Sequence, residues 1–378
     1  MRLPLSRATR TICATLACLA SAWMDACTTF DDPTTVKDLR ILAVSAEPSE
    51  IILDLSAIAD LSDPALADAI PTISLTPMIV DPRAEQRAVT LTITACANDP
   101  GAAAPPNNPG DPTNFPSGGA STTVGSALCD ASPSRLVIAE DVPWDINAAS
   151  LGAVEARLSP AWLLQAFKTD VFKTADGSVH GGFDLGMPVV FQVSAKAGNE
   201  TLTAIKRVVF WSHSVRDDQR PNTAPHIGGI TAYATRNEQT AEPDPADVRS
   251  VDEGTAFAVG PQGVWIDPAM ADAEAYVTAT LDRVTGAVVP HDVSAETITY
   301  SFYASAGTFS PPTTSSQPGP GVSPQRRIHI ESKYHPPTSN GATGSPDDVS
   351  IWIITRDERA GVSWQTRTLR VGVGGGSP

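Results

Sequence analysis

The sequence predicts an all-β protein built as two β-sandwiches in tandem, with long Pro/Gly-rich loops and one short helix in the first domain. Three observations carry this. Short apolar runs repeat with period two rather than 3.6. The chain holds 33 prolines and 27 glycines, while charged residues make up only 18%, which suits short segments between turns and not long helices. Its 378 residues are 42% hydrophobic, enough for two cores.

In the first half, strand-like runs fall at 38–46, 72–80, 87–96, 135–140, 187–196 and 201–211. Alternation is clearest where Val89, Leu91, Ile93 and Ala95 share one face and Thr90, Thr92, Thr94 and Cys96 the other. Val189, Phe191, Val193 and Ala195 repeat it, Gly198-Asn199 supplies a turn, and a second apolar run from Leu202 to Trp211 completes a hairpin. A helix is expected over 159–169: Ser159 can cap it, Pro160 suits its first turn, and Trp162, Leu163, Leu164 and Phe167 form one stripe.

Residues 213–226 carry charges, two prolines and no periodicity, and so mark a linker. The second half opens with a strand-like run from Ile227 to Ala234. It continues with alternation of Ile298, Tyr300, Phe302 and Ala304 against Thr297, Thr299, Ser301 and Tyr303. It closes with Val349, Ile351 and Ile353 on one strand, a turn through Asp357-Glu358-Arg359-Ala360-Gly361, and a strand from Val362 to Val371. Each half thus opens with a strand and ends on a long apolar hairpin, a pattern of duplication. Low-complexity insertions at 98–128, 309–324 and 335–347 are too poor in apolar residues to offset their ordering entropy and are expected to be mobile.

The amino terminus reads as an export signal. Arg2, Arg7 and Arg10 precede an apolar stretch over 11–24, and about 14 residues at 1.5 Å span roughly 21 Å, short of a ~30 Å hydrocarbon core. Cleavage after Ala22, behind Ala20-Ser21-Ala22, is one reading. The other is processing before Cys27, because Met24-Asp25-Ala26-Cys27 looks like a bacterial lipobox from which Asp25 departs. Cleavage after Ala22 leaves Cys27, Cys96 and Cys129, an odd number in an oxidising compartment, whereas lipidation of Cys27 removes the odd thiol. Acyl chains contribute ~0.8 kcal/mol per buried CH₂, so two or more hold a protein on a bilayer. By resemblance to Gram-negative lipoproteins, Thr28 after the cysteine permits transfer to the outer membrane.

Three segments, CTTFDDPTTVKDLRILAVSAEPSE (27–50), ITYSFYASAGTFS (298–310) and SIWIITRDERAGVSWQTRTLRV (350–371), resemble those of uncharacterised bacterial surface lipoproteins with immunoglobulin-like domains. The last two look like the penultimate and final strands of an Ig-like sandwich, whose hairpin often reads as an aspartate followed by Arg-Gly-Gly. Here Arg359-Ala360-Gly361 departs by one residue. The resemblance implies two Ig-like β-sandwich domains and no known activity.

The expected organisation is a signal peptide at 1–26, a lipidated tether at 27–38 and a first Ig-like sandwich at 39–212 with a disulfide-pinned insertion. A linker at 213–226, a second sandwich at 227–372 and a flexible tail at 373–378 follow. In an exported chain Cys96 and Cys129 pair by default; a loop of about 34 residues stabilises by about 3.8 kcal/mol in the chain-entropy model. The alternation places this bond on the threonine face, outside the sheet. Asp267, Asp272 and Glu274, in WIDPAMADAEAY, group oxygen atoms of the kind a calcium loop uses, but the spacing is not that of an EF-hand loop and lacks its glycine; a solvated acidic turn is the other reading. The histidines at 180, 213, 226, 291, 329 and 335 have no HExxH or HxH spacing, and no GxSxG elbow, P-loop or GxGxxG occurs. Trp265, Trp352 and Trp364 are read as core before sugar platform.

The net charge of −16, about −18 once Arg2, Arg7, Arg10 and Asp25 are removed, repels phosphate backbones and argues against nucleic acid as a partner. The expectation is a non-enzymatic, lipid-anchored cell-envelope protein, sorted to the outer membrane, that presents Ig-like domains to an unknown protein or glycan, with no cofactor. Secretion is the alternative location. A calcium-dependent or carbohydrate-binding adhesion module and a hydrolase with a non-local acidic site are the alternative functions.

Overall fold

The computed structural model describes residues 32–53, 64–83, 87–97, 129, 132–146, 152–167, 171–173, 179–181, 187–212, 220–237, 242–282, 284–285, 287–317, 330–337 and 348–371. The signal segment, Cys27, the insertion at 98–128 and the tail at 373–378 lie outside these residues, as do 213–219, 318–329 and 338–347. Two short helices accompany the described strands. The protein is all-β, as the sequence predicts.

The amino-terminal half contains β1 (Arg40–Glu47), β2 (Glu50–Leu53), α1 (Pro64–Ala69), β3 (Ile73–Val80), β4 (Val89–Ala97), β5 (Leu136–Trp144), β6 (Val154–Ala156), α2 (Pro160–Phe167), β7 (Val171–Lys173), β8 (Val179–Gly181), β9 (Met187–Ala197) and β10 (Glu200–Ser212). One sheet has the order β1-β3-β6 and its partner the order β2-β10-β9-β4-β5. The β9–β10 hairpin turns at Gly198, whose φ of 60° suits glycine, and pairs Glu200 with Ala197 and onward. Leu91, Ile93, Phe191, Val193 and Phe210 fill the core between the sheets with Leu75 and Ile79. Each such side chain contributes ~1.5–3 kcal/mol on full burial. Ser159 caps α2, its Oγ accepting from the Trp162 N–H at 3.2 Å, and Leu163 packs into that core.

The carboxy-terminal half contains β11 (Ile230–Tyr233), β12 (Arg249–Ser250), β13 (Phe257–Val259), β14 (Val264–Pro268), β15 (Ala275–Leu281), β16 (Val288–Ala295), β17 (Thr299–Ala304), β18 (Thr308–Ser310), β19 (Thr313–Ser315), β20 (Ser332–His335), β21 (Asp348–Arg356) and β22 (Val362–Val371). Its two five-stranded sheets run β12-β11-β14-β20-β18 and β13-β22-β21-β17-β19. Tyr300, Phe302, Phe309, Tyr334, Ile351 and Ile353 form the core. The Tyr300 hydroxyl accepts the Ala271 N–H at 2.9 Å and the Tyr334 hydroxyl donates to the Ala306 carbonyl at 2.9 Å, so these buried phenols are satisfied.

The halves repeat one topology. In each, a short strand pairs parallel with the last strand, β2 with β10 and β13 with β22. The last strand forms an antiparallel hairpin with the penultimate one, which pairs in turn with β4 or β17. The facing sheets share the matching antiparallel pairs β1-β3 and β11-β14. The sheets form β-sandwich-like arrangements, with a further edge strand, β5 or β19, on the sheet that carries the closing hairpin.

The halves belong to one compact unit that begins at Thr34. Leu42, Ala43 and Met78 from the first half share one buried cluster with Trp352, Ile354 and Val362 from the second, and Val36 belongs to it. The cause is readable in β1 and β21, whose central residues are buried on both faces: Ile41 and Val44 enter the first core while Leu42 and Ala43 enter the interface, helped by a register shift between Ile41 and Ala43. Trp352 and Ile354 do the same opposite Ile351 and Ile353.

Two expected connectors are docked against the fold. Residues assigned to the tether include Thr34, Thr35 and Val36, 1%, 9% and 0% exposed. Val36 N–H donates to the Ala304 carbonyl at 2.8 Å, and Ala304 N–H donates to the Thr34 carbonyl at 2.9 Å, so the segment extends the end of β17. Thr35 Oγ1 donates to the Gly307 carbonyl at 2.6 Å and Thr34 Oγ1 accepts from Phe309 N–H at 3.0 Å. Within the expected linker, Asn222 is buried and the Pro225 carbonyl accepts from the hydroxyls of Thr355 and Ser363. Polar side chains on the closing hairpin supply the backbone partners that the alternation rule does not anticipate. The expected insertion at 309–324 contains β18 and β19, because Phe309 is a core residue.

Candidate functional site

The densest chemistry lies where the β21–β22 turn of the second half meets β2 and β10 of the first. Asp357 builds the turn: its Oδ1 accepts the N–H groups of Arg359 at 2.9 Å and Gly361 at 2.7 Å. Ala360 takes a left-handed φ of 72°, a conformation that favours glycine. Gly361 is required by space, since a Cβ there would stand 2.0 Å from Asp357 Oδ2.

The turn projects Arg359 among three acids, of which Glu50 and Glu296 are buried and Glu274 is half-buried. Its guanidinium donates to Glu50, to Glu274 Oε2 at 3.2 Å and to the Arg220 carbonyl at 3.0 Å, and lies 3.6 Å from Glu296 Oε1. Glu50, 2% exposed, also accepts the Asn222 N–H at 2.8 Å. Asn222 Nδ2 donates to Asp357 Oδ2 at 3.0 Å and to the Arg359 carbonyl at 3.2 Å. From β10, the buried Lys206 ammonium donates to the Ala360 carbonyl. Glu50 and Lys206 therefore hold the turn of the other half from two neighbouring strands.

Charge and burial are mismatched here. Glu50, Glu274, Glu296 and Asp357 face two cations, Arg359 and Lys206. Burial pushes the Glu50 carboxyl up against the opposing charge of Arg359, and burial does the same to Asp357 against the donation from Asn222. Burial, reinforced by the charge of Asp357, raises Glu296 to about 7, and burial lowers Lys206 to about 8. Such perturbed groups gather at functional sites and also in structural ion-pair networks. The arrangement clamps two elements and brings buried acids and two cations together.

A second feature is a cleft of about 510 Å³ lined by Gly228, Gly229, Ser250, Asp267, Met270 and Glu331, among others. It brings Asp267 and Glu331 to one cavity from β14 and the residue before β20. Glu331 is 4% exposed and lies 3.5 Å from Arg236, which stacks 3.7 Å over the Trp265 ring. The face of Trp265 is thus covered by a cation, while Trp352 and Trp364 pack into the interface cluster.

Of the residues singled out in the sequence, Cys96 and Cys129 form a disulfide. With Val190 they make a small cluster on the face of β4 opposite Leu91 and Ile93, outside the sandwich core. Asp267, Asp272 and Glu274 do not converge: Asp267 lines the cleft, Asp272 is exposed, and Glu274 is an ion-pair partner of Arg359. Among the described residues no group of three His, Cys, Asp or Glu side chains is placed to hold a metal ion. His226, His291 and His335 are exposed, and His180, His213 and His329 lie outside the residues whose side chains are described. Among the described residues no helix is long and apolar enough to cross a membrane.

Sequence reasoning missed Glu50, Lys206, Asn222 and Glu296. The one available signal was a charge inside an apolar strand, as in Ala204-Ile205-Lys206 and Glu50-Ile51-Ile52. The chain matches no protein-family model and no curated protein.

Proposed function

We propose that this is a non-enzymatic, lipid-anchored cell-envelope protein that presents a rigid pair of Ig-like sandwiches for recognition or scaffolding of a protein or glycan. The observation that carries the reading is the Cys96–Cys129 disulfide, which leaves Cys27 as the odd thiol of an exported chain and so the acceptor for lipid. Docking of Thr34–Val36 supports close attachment. Residues 28–33 reach at most ~20 Å at ~3.3 Å each, against the ~36 Å of a tether running to residue 38. The hydrophobic interface and the charged junction make the halves move together, which suits a display body whose loops and sheet edges meet the partner. Outer-membrane placement rests on Thr28 by analogy.

Cys27→Ser tests the anchor. The variant is expected to leave the detergent-extractable membrane fraction and appear in the soluble one, and retention in the membrane contradicts the reading. The cleft containing Asp267 and Glu331 favours the adhesion module as second reading. A thermal shift with calcium or with a member of a glycan panel, lost in Asp267→Asn, supports it, and a flat response to both removes it.

A further inference from the structure

Glu296 is 2% exposed, and its Oε1 accepts no hydrogen bond, the Arg359 Nη1 standing 3.6 Å away. Its Oε2 accepts the Glu274 N–H at 3.1 Å, and its own N–H donates to the Glu274 carbonyl at 2.9 Å, so backbone bonds fix it at the end of β16. The groups that face it come from every neighbouring element. They are Glu274 and Tyr276 at the start of β15 and Asp357 and Arg359 of the turn; behind them Tyr276 bonds Glu358, Arg359 bonds Glu50 of β2, and Asp357 bonds Asn222 of the docked connector and lies near Lys206 of β10. Glu47 and Arg356 lie near enough to act on Lys206, but Arg356 is committed to the Leu42 carbonyl and the Ser301 hydroxyl. Among the described residues the cation at ion-pair distance from Glu296 is Arg359, whose Nη1 already serves Glu274. Ionised, Glu296 leaves a carboxylate oxygen without a hydrogen bond in the interior, beside the charges of Asp357 and Glu274 and with Arg359 3.6 Å away. Protonated, it removes that charge and brings its own donor.

We propose that the junction is a proton-operated latch between the two halves: Glu296 carries a proton when the halves are locked and releases it as they loosen. The carboxyl is raised from 4.5 to about 7, so the folded junction binds this proton more tightly than the unfolded chain does. Stability from this group is fullest below 4.5, falls as pH rises from 4.5 to 7, and is level above that. Glu50 and Asp357, also raised by burial, act in the same direction. Lys206, lowered from 10.5 to about 8, acts oppositely and only above 8. The latch is therefore weakest between about 7 and 8 and tightens in mild acid.

The test compares the wild type with Glu296→Gln, a neutral carboxamide that imitates the protonated acid, in buffers containing EDTA. From pH 5.5 to 8 the wild-type unfolding equilibrium is expected to shift toward unfolding by about tenfold or more. The exchange protection of the Arg359 and Gly361 amides, both held by Asp357, falls in parallel. Glu296→Gln should show at most about a third of that change and be the more stable protein at pH 8. Equal pH dependence in the two proteins overturns the latch. Should Glu296→Gln fail to fold, Glu274→Gln decides: removal of the neighbouring charge must move the wild-type transition to lower pH, and an unmoved transition overturns the proposal.

Discussion

Replacing Arg359 by alanine removes one side chain and leaves several acids without their cation. The guanidinium donates to Glu50, Glu274 and the Arg220 carbonyl and stands beside Glu296, with Arg359 9% and Glu50 2% exposed. A buried charge stripped of its partner costs about 3–5 kcal/mol. A second estimate limits the loss, because Glu50 can escape by taking up a proton. Holding a carboxyl of ordinary value 4.5 protonated at pH 7 costs about 1.4 kcal/mol per unit, about 3 kcal/mol in all. The two estimates meet at about 3–4 kcal/mol, or a fall in Tm of about 10 °C. Denaturant melts at pH 7 measure the loss, and the companion is Arg359→Ala with Glu50→Gln. The double variant has no orphaned charge at Glu50 and should recover about half of the loss or more. A loss under about 1 kcal/mol, or a double variant as unstable as the sum of its singles, refutes the claim that this ion pair locks the junction.

Three further perturbations follow from named geometry. Cys96→Ser with Cys129→Ser opens a loop of 33-residue separation and should cost about 3–4 kcal/mol, read as a lower denaturant midpoint that reductant no longer changes; an unaltered midpoint contradicts it. Ala360→Gly relieves the φ of 72° and should stabilise by about 1 kcal/mol in the same assay, with no gain counting against the left-handed turn. Gly361→Ala drives a Cβ to 2.0 Å from Asp357 Oδ2 and 3.0 Å from the Ala224 Cα, so it should destabilise by about 1–3 kcal/mol, and a neutral effect contradicts the packing of the turn.

Much of the fold is legible in the pattern of side chains. Alternation located β4, β9 and β17, the Gly198-Asn199 turn located the β9–β10 hairpin, and Ser159 with Pro160 located α2. The short strands were not legible, because β2, β13 and β19 offer three or four residues to any periodic template and are held by pairing to other segments. The interface was half-written: the unbroken apolar runs Ile41–Val44 and Ile351–Ile354 signal strands covered on both faces, but not which surface covers them. The disulfide was read correctly because Cys96 and Cys129 are the two cysteines left once the amino-terminal three are set aside, so the pairing is a counting problem. The charged junction was not, since Glu50, Lys206, Asn222, Glu296 and Arg359 come from five separated segments and only the fold joins them. Glu274 shows the same limit, having been grouped by spacing with Asp267 and Asp272 when its partner, Arg359, lies in the closing hairpin.

The central claim is that Cys27 carries lipid and displays the paired sandwiches from a membrane. Intact mass of the protein extracted from the membrane fraction of its native host tests this most directly. The predicted species begins at Cys27, carries added acyl mass and retains two cysteines joined to each other. A species that begins at Trp23 with no added mass contradicts it.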